Sequence, residues 1–311
     1  AGVKIHYLDK KLGLDVSMIG KLKKLMTQEK PDVVHTHLDV IKYAAAAAKL
    51  AGVPRCVHTV HNVADKEAEG RVQKLINGFY FSHGWSVPVA LSPEVQKSIA
   101  AFYGLPLEKI PTIYNGIDLS RCLEKQDYAL QNPAILTHIG RFNEQKNHMF
   151  LIHIFEEILK INSDSKLLLL GDGILKDEIN KYVISNNLSD KIYFMGIKTN
   201  VNEYLQAMDA FVFPSLYEGL GIVLIEAQAS GLKVYTSKNV VPIEANISDT
   251  LFNYIDLKSN NYKEWAEKVL HDRNNYSRNN LVVNKGNYDL NNTIKKLEDY
   301  YLSRGEEYGK N

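Results

Sequence analysis

Two cysteines in 311 residues, Cys56 and Cys122, match no metal or redox spacing, and so few thiols suit a reducing cytosol. No apolar run reaches the length of a membrane span. The alanine run at 44–48 belongs to an ordinary helix, so any membrane contact is peripheral. Charge of one sign is also lacking. Lys and Arg number 37 against 36 Asp and Glu, and a formal charge of +1 argues against nucleic acid as the main partner. The lysines at 21, 23 and 24 cluster near the start, where solvated surface is the default reading and anionic lipid the minority one. There is no low-complexity tract.

What is present is a repeated alternation of strand and helix periods. At 311 residues with 45% hydrophobic content, the chain suits two domains with two cores. Strands are expected at 4–8, 32–35, 55–59 and 87–91, with helices near 17–29, 41–51, 66–82 and 93–103. Ser92-Pro93 reads as a cap followed by proline at the first helical position, and Gly104 closes that helix. After the turn signal Asn115-Gly116, the polar segment 121–132 is expected to be the interdomain linker. A second series follows, with strands near 134–139, 166–170, 191–194, 210–213 and 232–236, then a polar tail at 274–292 and a last helix from about Thr293 to Leu302. The pattern is parallel and doubly wound, α/β in class. The domains are set at 1–114 and 115–292, with the helix at 293–303 treated separately.

The most informative stretch is Pro214-Ser-Leu-Tyr-Glu218-Gly-Leu-Gly-Ile-Val-Leu-Ile-Glu226. Pro214 ends a short apolar strand, because proline cannot donate to a ladder. Leu220, Val223, Leu224 and Ala227 then recur at helical spacing. A helix opening at Gly219 to Gly221 offers backbone N–H groups and the positive end of a dipole to an anion such as pyrophosphate. Carboxylates repel phosphate, so Glu218 and Glu226 are better suited to accepting hydrogen bonds from sugar or ribose hydroxyls. Glu218 alone could be a first-turn acid that complements the dipole. Glu226 lies among Leu224, Ile225, Ala227 and Ala229, and an unpaired carboxylate is rarely retained in such company without a function.

A second cluster lies upstream. The apolar run 134–139 reads as a buried strand, Gly140 breaks it, and Arg141 and Lys146 fall on the loop before the helix of Met149 to Leu159. Cations at the carboxyl end of a parallel strand stand where open α/β sheets bind ligands. Arginine supplies a planar fork for phosphate oxygens and lysine a point charge.

Taken together, Gly140-Arg141, Gln145-Lys146-Asn147, Gly171-Asp-Gly173 and the Glu218 to Glu226 element resemble the family-4 retaining glycosyltransferases, of the bacterial polysaccharide and cell-envelope type. The resemblance runs from about Lys4 to the end. It implies the GT-B fold, two Rossmann-like doubly wound domains facing a cleft, the first on the acceptor side and the second binding the nucleotide-sugar donor, with the final helix crossing back to the first. It further implies that Arg141 and Lys146 hold the donor's diphosphate, that Glu226 binds the ribose and that Glu218 contacts the donor sugar. The amides of Gly219, Leu220, Gly221 and Ile222 would assist the phosphates. The resemblance also implies reaction on the front face of the sugar, with no covalent enzyme intermediate. No cofactor and no metal are expected, because two cations and a helix end already do the electrostatic work. UDP is taken as the commonest donor nucleotide, with base selection expected near Met195 to Lys198, and the acceptor as a glycan or polyisoprenyl-linked hydroxyl at the cytoplasmic face of the membrane.

Histidines crowd the first half: His35 and His37 after one strand, His58 and His61 after another. Alternation puts His35 and His37 on one face. Satisfied core or rim histidines are the plain reading. A zinc site from four imidazoles lacks a carboxylate or cysteine at a matching spacing. Thr59-Val-His61 resembles the family element whose histidine approaches the donor sugar, which makes His61 the catalytic choice and leaves His35 or His37 as acceptor contacts. The family's opening strand and glycine-rich loop have no counterpart, an expected shortfall of about sixty residues from two βαβ-sized pieces. An edge left open in that way invites a homodimer or a partner subunit. Two rival readings stand beside glycosyl transfer: a catalytically silent nucleotide-binding or partner-activating subunit, and a nucleotide-sugar 2-epimerase.

Overall fold

A computed structural model of the chain describes residues 2–68, 70–122, 135–274 and 288–303. The chain divides into two units, residues 1–114 with 293–311, and residues 115–292.

In the first unit, helix α1 (Ser17–Glu29) leads to strand β1 (Val33–His37), α2 (Ile41–Ala51), β2 (Arg55–Val60), α3 (Ala64–Glu67), α4 (Gly70–Ser82), β3 (Val87–Ala90) and α5 (Pro93–Tyr103). The three strands are parallel in the order β1-β2-β3. The alanines of α2 are buried with Met26 of α1 and with Tyr80 and Phe81 of α4, because small side chains let the helices approach closely. The expected caps of α5 are present: Ser92 accepts from the Val95 N–H, Pro93 sits at the helix start, and Gly104 adopts φ 68°.

Two expectations fail here. Residues 4–8 form no strand, since a strand exists only through ladder pairing and no described residue pairs with them. The helix expected over 66–82 is two helices, with Gly70 at φ 89° where the second begins.

The second unit runs β4 (Ile135–Ile139), α6 (His148–Ile161), β5 (Lys166–Leu170), α7 (Lys176–Ser185), β6 (Ile192–Gly196), α8 (Val201–Ala207), β7 (Ala210–Phe213), α9 (Ile222–Ala229), β8 (Val234–Ser237), β9 (Phe252–Ile255) and α10 (Tyr262–Asn274). All paired strands are parallel, in the order β6-β5-β4-β7-β8-β9. That is the doubly wound order, and the chain reverses its direction of winding between β4 and β7. The core packs Leu136, Leu167, Leu169 and Val212 of the sheet against Ile154, Phe155 and Ile158 of α6 and Trp265 of α10. β9 was not expected: Phe-Asn-Tyr-Ile is four residues long and carries little period of its own.

The expected linker at 121–132 lies outside the described residues from 123 onward, as does most of the polar tail, 275–287. The last helix, α11 (Leu290–Leu302), opens three residues earlier than expected because Asp289 accepts the Asn292 N–H at 3.1 Å and caps it. Its Tyr300 is buried with Val57, Val89 and Ile113.

Candidate functional site

The reversal point of the second sheet brings two loops together: residues 140–147 after β4 and residues 214–221 after β7. They are laced by main-chain groups. The Leu216 N–H donates to the Gln145 carbonyl at 2.8 Å, Gln145 Nε2 donates to the Tyr217 carbonyl at 2.9 Å, and Asn147 Nδ2 donates to the Pro214 carbonyl at 3.2 Å. Lys146 Nζ then reaches Glu218 Oε1 at 2.6 Å, with the lysine side chain 15% and the glutamate 6% exposed. The ammonium also lies 4.5 Å from the centre of the Phe213 ring. Both groups are nearly dry, so the pair holds only because each neutralises the other.

Glycines make this closeness available. A Cβ at Gly140 would meet Lys146 Cγ at 3.2 Å and His138 Nε2 at 3.0 Å, so the lysine stem lies directly on the turn. Gly171, at φ 136°, brings the end of β5 against Gly140, where a Cβ would stand 2.0 Å from the Gly140 carbonyl oxygen. The Phe142 N–H donates to the Asp172 carbonyl, completing the shelf.

Two cavities open on this shelf and share Ile139 and Val201 in their walls. One, of about 240 Å³, is lined by Gly140, Arg141, Gly171, Asp172, Ile197 and Lys198. The other, of about 270 Å³, is lined by Asp118, Arg121, Thr199, Asn202, Val223 and Glu226. Arg141 is exposed and belongs to the first. Burial raises the Glu226 carboxyl above its ordinary value, and the nearby Arg121 guanidinium partly opposes that. Of the expected residues, Lys146 and Glu218 are brought together directly, and Arg141 and Glu226 line adjoining cavities.

One placement is corrected. The helix opens at Ile222, not at Gly219 to Gly221, because Gly221 takes φ 76°, a left-handed conformation outside the helix. The Leu224 N–H already donates to the Gly221 carbonyl, and Gly219 and Leu220 are buried loop residues before the dipole begins. The dipole argument therefore applies from Ile222 onward.

Sequence reasoning did not single out His138 and His148. His138, wholly buried, bonds the Val212 carbonyl through Nδ1 at 2.9 Å and leaves Nε2 without a partner. His148 stacks on Phe142 with ring centres 4.2 Å apart, and neither of its nitrogens has a partner. Burial holds both below the ordinary histidine value, His148 to about 4, and the Lys146 charge adds to this. The motif His-Ile-Gly-Arg carried the signal: a histidine inside an otherwise apolar strand. Arg121 was likewise read as linker rather than as a neighbour of Glu226.

In the first unit, His35 and His37 do share a face, their rings stacked 4.4 Å apart. His61 pairs with His37, Nδ1 to Nε2, at 2.9 Å. His58 points to the other side, toward Thr36 and Glu67. Among the described residues no three His, Cys, Asp or Glu side chains converge as a metal site. Among them, too, no helix is long and apolar enough to cross a membrane.

Comparison with known proteins places these features. The family model for glycosyl transferases group 1 matches residues 121–284, and that for glycosyltransferase family 4 matches residues 2–121. The chain is 28% identical over 317 residues to the UDP-Gal:alpha-D-GlcNAc-diphosphoundecaprenol alpha-1,3-galactosyltransferase of Escherichia coli, across 93% of this chain and 79% of that protein. It is 31% identical over 250 residues to the protein of Bacillus subtilis (strain 168) named "Putative glycosyltransferase EpsF", across 76% of this chain and 64% of that protein. In structure it is similar to Anabaena Alr3699/HepE, crystallised with UDP and glucose, with a TM-score of 0.78 at 17% identity over 92% of this chain and 81% of that one. The last likeness concerns the fold, which is GT-B.

Proposed function

The chain belongs to the group 1 glycosyl transferases, and on that premise we propose that it moves a hexosyl group from a UDP-sugar to a hydroxyl of a glycan or polyisoprenyl-linked acceptor, with retention at the anomeric carbon. The observation that carries the donor half of this reading is the reversal point of the second sheet, where Lys146, Glu218, Arg141 and Glu226 gather on loops following β4 and β7 and on α9. The E. coli relative acts on a UDP-sugar and a diphosphoundecaprenol-linked acceptor by its name, and the Anabaena neighbour was crystallised with UDP, which supports the choice of donor and acceptor class.

The chemistry asks for stabilisation of a departing diphosphate while positive charge grows on the sugar. Arg141 and Lys146 supply cations for the phosphate oxygens. Lys146 is held in place before the reaction by Glu218, so little reorganisation is needed there as charge develops. Glu226 accepts hydrogen bonds from the ribose hydroxyls, and the adjoining cavity beside Ile197 and Lys198 receives the base. Glu218 stands beside Lys146 and accepts from a donor-sugar hydroxyl. A lipid-linked acceptor sets the reaction at the inner membrane face, with the protein bound there peripherally.

Titration calorimetry with UDP, GDP and ADP tests the nucleotide assignment, and mass spectrometry of products from a panel of donors and lipid-linked acceptors tests the transfer. Tight binding of UDP over the others, followed by a product one hexose heavier than the acceptor, is expected. UDP binding with no product from any pair favours the silent subunit, and interconversion of the donor without acceptor favours the epimerase.

A further inference from the structure

The ends of β1 and β2 carry a hydrogen-bonded pair of imidazoles that the donor site does not use. His37 Nδ1 and His61 Nε2 are 2.9 Å apart, which leaves room for one proton between them and excludes two. Both residues are held from behind, His37 at its ring and His61 at its main chain. His35 stacks on His37 and is itself fixed by Thr59 Oγ1 at 2.6 Å and by the Tyr301 hydroxyl of α11. Glu67 of α3 clamps the main chain on the other side, accepting the N–H groups of His61 and of Asn62, the latter at 2.9 Å. The charged and titratable groups facing the pair are therefore His35 on β1, His58 on β2 and Glu67 on α3. Burial lowers the titration of both His37 and His61, mutual repulsion adds to this for His37, and Glu67 works against it in each case. At neutral pH the pair is uncharged.

A neutral pair with one shared proton has only two arrangements. If His61 Nε2–H donates, His61 Nδ1 is a bare acceptor and His37 Nε2 carries a proton. If His37 Nδ1–H donates, the outer nitrogens exchange roles. In either case the dyad shows the outside one N–H donor and one lone pair; passing from one arrangement to the other shifts the shared proton and also takes a proton from one outer nitrogen and returns one to the other, through a bridging hydroxyl or solvent. Neighbouring hydroxyls of a sugar each donate and accept, and need that complement.

We infer that His37 and His61 work as one imidazole dyad that binds sugar hydroxyls through its two outer nitrogens, with His37 the residue that positions and sets the tautomer of His61. This rests on the reading that the chain transfers a glycosyl group. It adds to that reading the coupling of the two histidines and a reason for it: a lone neutral imidazole changes tautomer on its own, whereas coupled rings change together and always present one donor and one acceptor.

The test uses the whole chain with 15N-labelled histidine. In the unaltered protein, NMR should show His37 and His61 in the same tautomer, both Nε2–H or both Nδ1–H, and titrating as a coupled pair below the ordinary value of 6.5. His37→Phe keeps a ring against His35 and removes both nitrogens. It should uncouple His61 from its neighbour and change the ratio of its two tautomers. Under steady-state assay the same change should raise the KM for the sugar substrate about tenfold, the loss of roughly one hydrogen bond, and His37→Gln should restore most of it. His37 is exposed, so the variant is expected to fold. An unchanged tautomer of His61 in His37→Phe would overturn the dyad, and an unchanged KM would overturn the hydroxyl contact. Should no donor and acceptor give product, the function fails, while the NMR comparison still decides the dyad.

Discussion

Lys146 Nζ stands 2.6 Å from Glu218 Oε1, closing a gap of 72 residues in the chain across the reversal point of the second sheet. Removing one partner leaves a nearly dry charge uncompensated. Glu218→Ala should therefore cost about 3 kcal/mol of unfolding free energy, and Lys146→Ala a similar amount. Replacing both, as Lys146→Met with Glu218→Leu, should recover most of that loss, because the desolvation of two ions is removed together with their attraction. Denaturant unfolding of the four proteins measures the coupling, and strictly additive losses would show that the pair is not a unit. Function should split differently. Glu218→Gln frees the ammonium from its competing carboxylate, so UDP should bind about fivefold more tightly while transfer from the UDP-sugar falls.

Glu226 carries the ribose assignment. Its Ala variant should weaken UDP binding by about 1 to 3 kcal/mol, the value of a charge-assisted hydrogen bond. Because burial raises the Glu226 carboxyl, it takes up a proton at a higher pH than an ordinary carboxylate as the solution is acidified. Affinity for UDP should therefore start to fall on acidification above the usual carboxylate range, and Glu226→Gln should lose that part of the pH dependence. Calorimetry across the acid range reads both, and equal affinity for UDP in the Ala variant would remove the ribose contact.

How much of this could be read from the residues depends on where the signal was local. β5, β7, α2 and α5 fall where the periodicity set them, because each is a dense apolar run with a clear stop: Gly52 and Gly104 in left-handed caps, Pro214 beyond a strand. The family pattern was legible for the same reason, since its glycines and charges sit within short stretches. What depends on a distant partner was not legible. Residues 4–8 alternate like a strand yet have no ladder among the described residues. Gly221 reads equally as a helix start or as the turn before it, and only its φ of 76° decides. The Lys146 to Glu218 contact comes from loops that meet in space, and neither spacing nor composition announces such a meeting.

Transfer should survive chelation. On the reading proposed above, Arg141 and Lys146 would meet the diphosphate's charge, which would leave no electrostatic task that demands a divalent ion. Initial rates with and without EDTA should agree, and a tenfold loss restored by added Mg²⁺ or Mn²⁺ would overturn the point.

Gly171 is the strictest backbone requirement of the shelf. With φ at 136° and a hypothetical Cβ only 2.0 Å from the Gly140 carbonyl oxygen, Gly171→Ala must push β5 away from the turn that bears Arg141. The strained conformation alone costs of order 1–3 kcal/mol, and the clash adds to it. A markedly lower Tm is expected, together with UDP binding weaker than the stability loss explains. Gly104→Ala, at the end of α5, offers a control, since φ there is 68° but a Cβ meets nothing within 4 Å. It should destabilise less and leave UDP affinity alone. Equal effects at the two positions would mean that the close approach to Gly140 does not matter.

Acid should unfold this protein through its buried histidines. His35 and His148 are held to about 4 and His138 well below 6.5, in each case chiefly by burial, so all three stay neutral in the folded chain while the unfolded chain takes up protons below 6.5. A folded-state value below the unfolded one places the stabilisation above pH 6.5 and removes it as the pH falls toward 4. Each histidine then contributes a loss of about 1.4 kcal/mol per pH unit across that window. Glu226, raised rather than lowered, works in the opposite sense, so the total slope belongs to no single group. The comparison that isolates one of them is His148→Phe, which keeps the stack on Phe142 and removes the titrating nitrogens. Urea unfolding between about pH 7 and 5 should show the variant losing less stability than the parent by roughly one histidine's share. Parallel pH profiles for the two proteins would mean that His148 is already accessible to protons in the folded state.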